Sequence, residues 1–366
     1  MSALLARLRM PGIIEPIGRW WDRLPGWGRW AVRVLAVVLA VLAPNQAVGE
    51  FMAPQSDWPT ILFYPISIYI LLAVGLNVVV GMAGLLDLGY VAFFAIGGYA
   101  MAVLGTNLGW NFWQILPVAI LLTAVSGLVL GTPTLRLRGD YLAIVTLGFG
   151  EIVRITALNS DPLGGPRGIA GIPHPPDLGP FHFGVIDPRP YYYLTLAAIV
   201  LVIVMVRRIE ASRIGRAWVA IREDEDAAES MGVPTFRYKL LSFVFGAAIG
   251  GTAGVMFASK VIAIVPDNFP FLLSVFILCA VVLGGSGNLP GVILGAFVIG
   301  YLPERFRFLA EYRVLLFGAA LVAMMIFRPE GLLPSRRRRA EMAAGEGGMG
   351  RLGAEVTETG TAKVEA

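Results

Sequence analysis

Asp87 is the residue whose surroundings first ask for an explanation. It stands in GLNVVVGMAGLLDLGYVAFFAIGG, residues 75–98, an apolar run that carries six glycines and this single carboxylate. Holding a carboxylate away from water is expensive, so an acid in such a run is a functional candidate by default. Gly81, Gly84 and Gly89 can break a helix and free backbone groups, which a membrane tolerates only where those groups are buried in protein or line a cavity. The chemistry on offer is recognition of a zwitterion along a path: freed amides for a carboxylate, Asp87 for an ammonium group. The alternative is that Asp87 caps its own helix near the cytoplasmic end.

A second constellation is RIGRAWVAIREDEDAAESMGVPTFRYK, residues 213–239, the long polar run between apolar blocks. Ile214, Trp218, Ile221 and Ala228 recur at helical spacing and share one side of a helix. Glu225 interrupts that stripe. The acids Glu223, Asp224, Glu225 and Asp226 stand where a second short helix begins, and they suit the positive end of its dipole. Gly232 followed by Pro234 is a stop signal. The segment reads as a helical hairpin, lying either on lipid or against another protein. Its carboxylates match a basic protein surface better than anionic lipid. Trp218, flanked by Arg216 and Arg222, has the form of an interface anchor.

Other chemistries lack their residues. None of the three lysines, Lys239, Lys260 and Lys363, sits in a glycine-rich phosphate cradle, so this chain binds no ATP in that way. HExxH, Gly-x-Ser-x-Gly and Cys/His ligand clusters are missing, which leaves no catalytic set and no metal ligands. Cys279 is the only cysteine. His174 and His182 fall in a Gly/Pro-rich loop and read as two solvated histidines rather than a metal pair. Glu151 and Arg154, three apart, pair on one helix face in preference to forming a proton relay.

The elements that must position these groups are membrane spans. Hydrophobic residues make up 57%, charged residues 15%, and the mean hydropathy is +0.72, the balance of a polytopic all-α membrane protein. A net charge of +4 raises nucleic acid as a partner, but the basic residues cluster at loops and ends instead. A first apolar run begins near residue 31, and others follow at 60–80, 88–106, 112–131, 141–157, 191–207, 238–262, 270–285, 289–302 and 312–327, about ten spans in all. The pair between 270 and 302 is short and split by GGSGNLPG. With both termini cytoplasmic, 22 of the 29 Lys and Arg fall on the cytoplasmic side. The segment PERFRFLAEYR at 303–313 opposes this; it is either a short surface helix or a sign that a neighbouring span does not cross. Residues 1–30, rich in Trp and Arg, form a retained interfacial leader, 31–333 the transmembrane domain, and 334–366 a disordered cytoplasmic tail. Gly246, Gly250 and Gly254 leave one helix face nearly free of side chains, which suits close helix packing.

Taken together, GLNVVVGMAGLLDLGYVAFFAIGGYA, LRGDYLAIVTLGFGEIVRI, GGPRGIAGIP, GRAWVAIREDEDAAESMGV, RYKLLSFVFGAAIGGTAGVMFA and FRPEGLL closely resemble the M-type permease subunit of bacterial branched-chain amino acid ABC importers. The resemblance runs from about residue 60 to 333. It implies an inner-membrane importer in which this chain works with a sister permease, two cytoplasmic ATPases that bind the ATP and Mg, and a periplasmic binding protein. It also implies that the segment from Arg213 to Gly232 docks in the ATPase, with Gly215, Trp218, Ile221, Arg222, Glu223, Asp226, Ala228 and Gly232 as the coupling residues. The leader and tail have no counterpart in the family. Urea importer permeases are close relatives, though GLLDLGY and GGPRGI favour the amino acid branch. A secondary transporter coupled through Asp87 or Glu151, and a membrane scaffold without transport, are the other classes. Residues 159–190, too polar for lipid, either shape an external mouth where the binding protein docks or merely connect two spans.

Overall fold

A computed structural model describes residues 57–135, 140–177 and 181–305, with scattered positions at 34–52, at 179 and at 312–333. The leader, the tail, and most of the expected spans near residue 31 and at 312–327 lie outside the described residues. Six described helices are long and apolar enough to cross a membrane, and a shorter apolar helix joins them. In chain order the elements are α1 (Trp58–Met82), α2 (Val91–Asn107), α3 (Phe112–Thr134), α4 (Asp140–Asn159), β1 (Ile169–Ala170), α5 (Arg189–Glu210), α6 (Arg213–Glu223), α7 (Glu225–Ser230), α8 (Thr235–Val261), β2 (Ala263–Ile264), α9 (Phe271–Gly284) and α10 (Leu289–Arg305).

The bundle has an inner and an outer layer. In α1 and α8, 78% and 67% of the most apolar window is buried within the chain. In α3, α4 and α5 the figures are 33%, 28% and 28%, and Leu121, Val129, Ile144, Ile152 and Leu201 point outward. A helix whose apolar side chains face out has lipid as its natural surroundings. The inner layer is tight because its glycines let backbones meet. A Cβ added at Gly246 would lie 2.6 Å from Val79 of α1, and one at Gly250 would lie 3.0 Å from Phe93 of α2. A Cβ at Gly254 would enter the Phe94 carbonyl and approach the Gly98 amide to 2.6 Å. The small-residue face of α8 is thus used within this chain, against α1 and α2.

Two inner elements are irregular. α1 bends near its start, where Tyr64 leaves helical geometry (φ −136°, ψ 123°) just before Pro65, and it widens again over Asn77–Met82. From residue 83 to Tyr90 the chain is not regular helix, and α2 begins only at Val91. The expected span at 88–106 therefore starts late: the glycines around Asp87 interrupt it, and 17 residues remain helical. At its other border α10 runs on through Pro303 and Glu304 to Arg305, past the point where a separate surface helix was expected to start.

The two ends of the bundle differ. At one end, α6 and α7 form a hairpin beside residues 81–84 and the 284–288 turn. At the other, β1 pairs antiparallel with β2, matching Ile169 to Ile264 and Ala170 to Ala263. There the loop that follows α4 is tied down by Ser259, whose hydroxyl donates to the Pro173 carbonyl (3.0 Å), and by Lys260, which donates to the Val185 carbonyl (2.7 Å).

Candidate functional site

The hairpin forms where the sequence supplies caps. The Ser212 hydroxyl accepts from the Ile214 amide (3.1 Å) and starts α6, and the Asp224 carboxylate accepts from the Ala227 amide (2.9 Å) and starts α7. Gly232, with φ +84°, ends α7 while the Val233 amide returns to the Ala228 carbonyl (3.0 Å). Gly215 is where α6 crosses the end of α5; a Cβ there would meet the Glu210 backbone.

The candidate coupling residues separate into three groups. Gly215, Trp218, Ile221 and Ala228 are buried against the rest of the chain. Trp218 is fully enclosed, donates its indole N–H to the Tyr238 carbonyl (2.7 Å), and stands edge-on to Phe245 of α8. It anchors the hairpin to its own subunit instead of facing outward. Lys239 of α8, also buried, forms an ion pair with Glu225, which fastens α7 in the same way. Glu223, Asp226 and Gly232 are exposed, with Asp224, Glu229, Ser230 and Met231 beside them. Arg222 belongs to neither set: its guanidinium turns inward and donates to the Gly81 carbonyl.

At the break, Asp87 is fully buried and accepts from the Gly89 amide (2.9 Å), a local turn that leads into α2. The Thr146 hydroxyl of α4 accepts from the Leu88 amide (3.0 Å), and Gly89 passes so close to Thr146 that a Cβ would enter its carbonyl. Ser274 of α9 accepts from the Val91 amide (3.0 Å), so the first free N–H of α2 is met by a side chain. The Tyr90 hydroxyl donates to the Gly246 carbonyl of α8 (2.8 Å). Asp87 thus serves as a turn residue in this conformation, while its second carboxyl oxygen has no partner among the described residues. Of the path candidates, Gly81 lies in the widened end of α1, and Gly84, Asp87 and Gly89 lie in the segment that follows.

Asn77, Thr146, Ser274, Gly287 and Lys239 join this site without having been singled out from sequence. Asn77 and Lys239 did carry a signal, since both are strongly polar residues within or beside apolar runs. The Gly287 amide donates to the Asn77 side chain (2.8 Å), which brings the glycine-rich turn after α9 onto the end of α1. That turn is pinned from its other side, where the Leu332 and Leu333 amides donate to the Leu283 and Gly284 carbonyls (2.8 and 3.1 Å).

Elsewhere, a cleft of about 280 Å3 opens beside the bend of α1, between Tyr64, Pro65, Tyr69, Phe276 and Ile299. Glu151 and Arg154 form their expected pair (2.5 Å), extended to Asp267 (3.5 Å). The two histidines take different partners: His182 pairs with Asp177 (2.9 Å), and His174 is bonded to the Tyr191 hydroxyl. Burial, aided by the Lys260 cation, holds His174 below the ordinary histidine pKa. Among the described residues no three His, Cys, Asp or Glu side chains gather as a metal site.

A glycine-packed bundle with an interrupted inner span, joined at one end to a capped surface hairpin, is the architecture of a multi-pass helical membrane protein. The chain belongs to the family of branched-chain amino acid transport system permease components, whose model matches residues 59–327. It is 45% identical over 300 residues to the high-affinity branched-chain amino acid transport system permease protein LivM of Salmonella typhimurium, covering 76% of this chain and 71% of that one. The LivM protein of Escherichia coli K12 is also 45% identical, over 299 residues, with 76% and 70% covered. The LivH permease protein of the same organism is 26% identical over 286 residues, with 73% and 91% covered. No solved structure gives a significant match.

Proposed function

We propose that this chain is the M-type transmembrane subunit of an ATP-driven importer of branched-chain amino acids in a bacterial inner membrane. Its partners are a sister permease of the LivH kind, two cytoplasmic ATPases that carry the ATP and Mg, and a periplasmic binding protein. The observation that carries this reading is the hairpin of α6 and α7. It is fixed to the bundle by Trp218 and by the Glu225–Lys239 pair, yet it turns Glu223, Asp224, Asp226 and Glu229 outward beside the interrupted span. A rigid, acidic projection suits a basic cleft on an ATPase, where complementary charge sets the docking register. The hairpin end of the bundle is then cytoplasmic, and the loop held by Ser259 and Lys260 faces the binding protein. Both termini lie in the cytoplasm, with about ten spans in the complete chain. The stretch containing Gly81, Gly84, Asp87 and Gly89 flanks the substrate path.

Copurification of the ATPase with the assembled permease pair tests the docking. Glu223→Lys combined with Asp226→Lys should weaken retention of the ATPase, most clearly at low salt, because exposed charges are screened as ionic strength rises. Equal retention at every salt concentration would show that the acidic face is not the docking surface.

A further inference from the structure

We infer that Arg222 is the residue that transmits motion from the hairpin to the interrupted span. The inference rests on the docking proposed above. Trp218 and Glu225 hold the hairpin to α8, but Arg222 is its link to Gly81, where α1 loosens before the break. Three glycines shape its surroundings. Gly84 takes a left-handed conformation (φ +74°), and a Cβ there would lie 2.8 Å from Cγ of Arg222, so the arginine stem lies along bare backbone. Gly287 is also left-handed (φ +84°), and a Cβ there would lie 2.8 Å from the guanidinium Nη1. Gly81 has no room for a side chain either, because Asn77 fills that space while accepting from Gly287. One side chain of the hairpin therefore meets the end of α1, the start of the break and the turn between α9 and α10. A displacement of α6 cannot leave these segments where they are.

The break is also incompletely satisfied in this conformation. The amide nitrogen of Asn77 and the second carboxyl oxygen of Asp87, both buried, have no hydrogen-bond partner among the described residues. Buried polar atoms left in that condition favour any rearrangement that supplies partners. Arg222 stands beside the break and is placed to bias how it is arranged. The contact is a charged donor on a carbonyl, stronger than a neutral bond, and its planar fork is not reproduced by lysine.

The test uses the complete importer in proteoliposomes, with radiolabelled leucine inside-directed transport and ATP hydrolysis measured on the same preparation. Arg222→Met keeps the stem against Gly84 and removes the donor. The expected result is an assembled complex that retains its ATPase and hydrolyses ATP, while leucine moved per ATP falls about tenfold or more, with Arg222→Lys intermediate. Gly287→Ala, which presses on the same guanidinium from the other side, should lower the same ratio. An unchanged leucine-to-ATP ratio in both Arg222→Met and Gly287→Ala overturns the inference. So does loss of the ATPase from Arg222→Met, which would make the arginine a scaffold residue. Failure of the docking itself has a different signature: the charge-reversed hairpin would keep its ATPase while Arg222 variants behaved as the wild type.

Discussion

Replacing Trp218 by alanine should release the hairpin from its own subunit, and the scale of the effect follows from the contacts. The side chain is completely enclosed, lies edge-on to Phe245 at 6.3 Å, and bonds to the Tyr238 carbonyl at 2.7 Å. Truncating a buried tryptophan costs roughly 3–5 kcal/mol through lost transfer energy and the cavity left behind. Losing the indole donor adds about 1 kcal/mol. The loss falls on the hairpin, because α8 keeps its glycine contacts with α1 and α2. The lower end of that sum, about 4 kcal/mol, already shifts the balance between a closed and an open hairpin by roughly a thousandfold. Trp218→Phe, which keeps most of the ring but not the N–H, should lose far less. The assay is maleimide labelling of Ala228→Cys in a Cys279→Ser background, since Ala228 is 5% exposed and becomes reactive only if α7 lifts away. Labelling should rise in the order Trp218, Trp218→Phe, Trp218→Ala, and leucine uptake should fall in the same order. A thiol that stays protected in Trp218→Ala, with uptake at the unmutated level, would refute the anchoring argument.

Gly254→Val should remove folded subunit from the membrane, because its Cβ would collide with the backbone of Phe94 and Gly98, which cannot rotate aside; Gly148→Ala, whose Cβ meets nothing within 4 Å, is the matched control for yield and detergent stability. Asp87→Asn keeps an acceptor for the Gly89 amide, so insertion should hold while uptake drops by about tenfold or more if the carboxylate serves the path; uptake at the wild-type rate would leave Asp87 a turn residue only. Arg167 is exposed in the loop tied to α8, and a photocrosslinker at that position should capture the binding protein in the assembled importer; a consistent absence of adducts would make the loop a connector.

The six long apolar helices α1, α3, α4, α5, α8 and α9 were legible to within a few residues because lipid imposes one rule on every stretch of helix, and apolar length reports it directly. Caps were legible for a similar reason. Ser212, Asp224 and Gly232 act on amides and carbonyls a few residues away, so the order of residue types already contains the geometry. The break at residues 83–90 showed itself as glycine density around one acid. In each case cause and consequence lie within one helical turn or one short loop.

What the sequence withheld is which surface each marked residue meets. The stripe of Ile214, Trp218 and Ile221 announces an apolar side, and an outer partner and the chain's own α8 satisfy that pattern equally well. The choice is made by Tyr238, 20 residues further on, whose carbonyl receives the indole. The same holds for the break. Its neighbours Thr146, Ser274 and Gly287 come from three other segments, separated from their partners by 58, 183 and 210 positions, and none has a local reason to be remembered as part of a site. Arg222 makes the point most sharply. Its charge and position in an exposed-looking helix suggest a surface contact, whereas the three glycines that receive it become a receptor only once the chain folds. A residue whose partners are glycines leaves almost no trace in its own neighbourhood, since the signal is an absence of side chains elsewhere. Mechanical coupling through such a residue is therefore readable from the folded chain and hidden in the linear one.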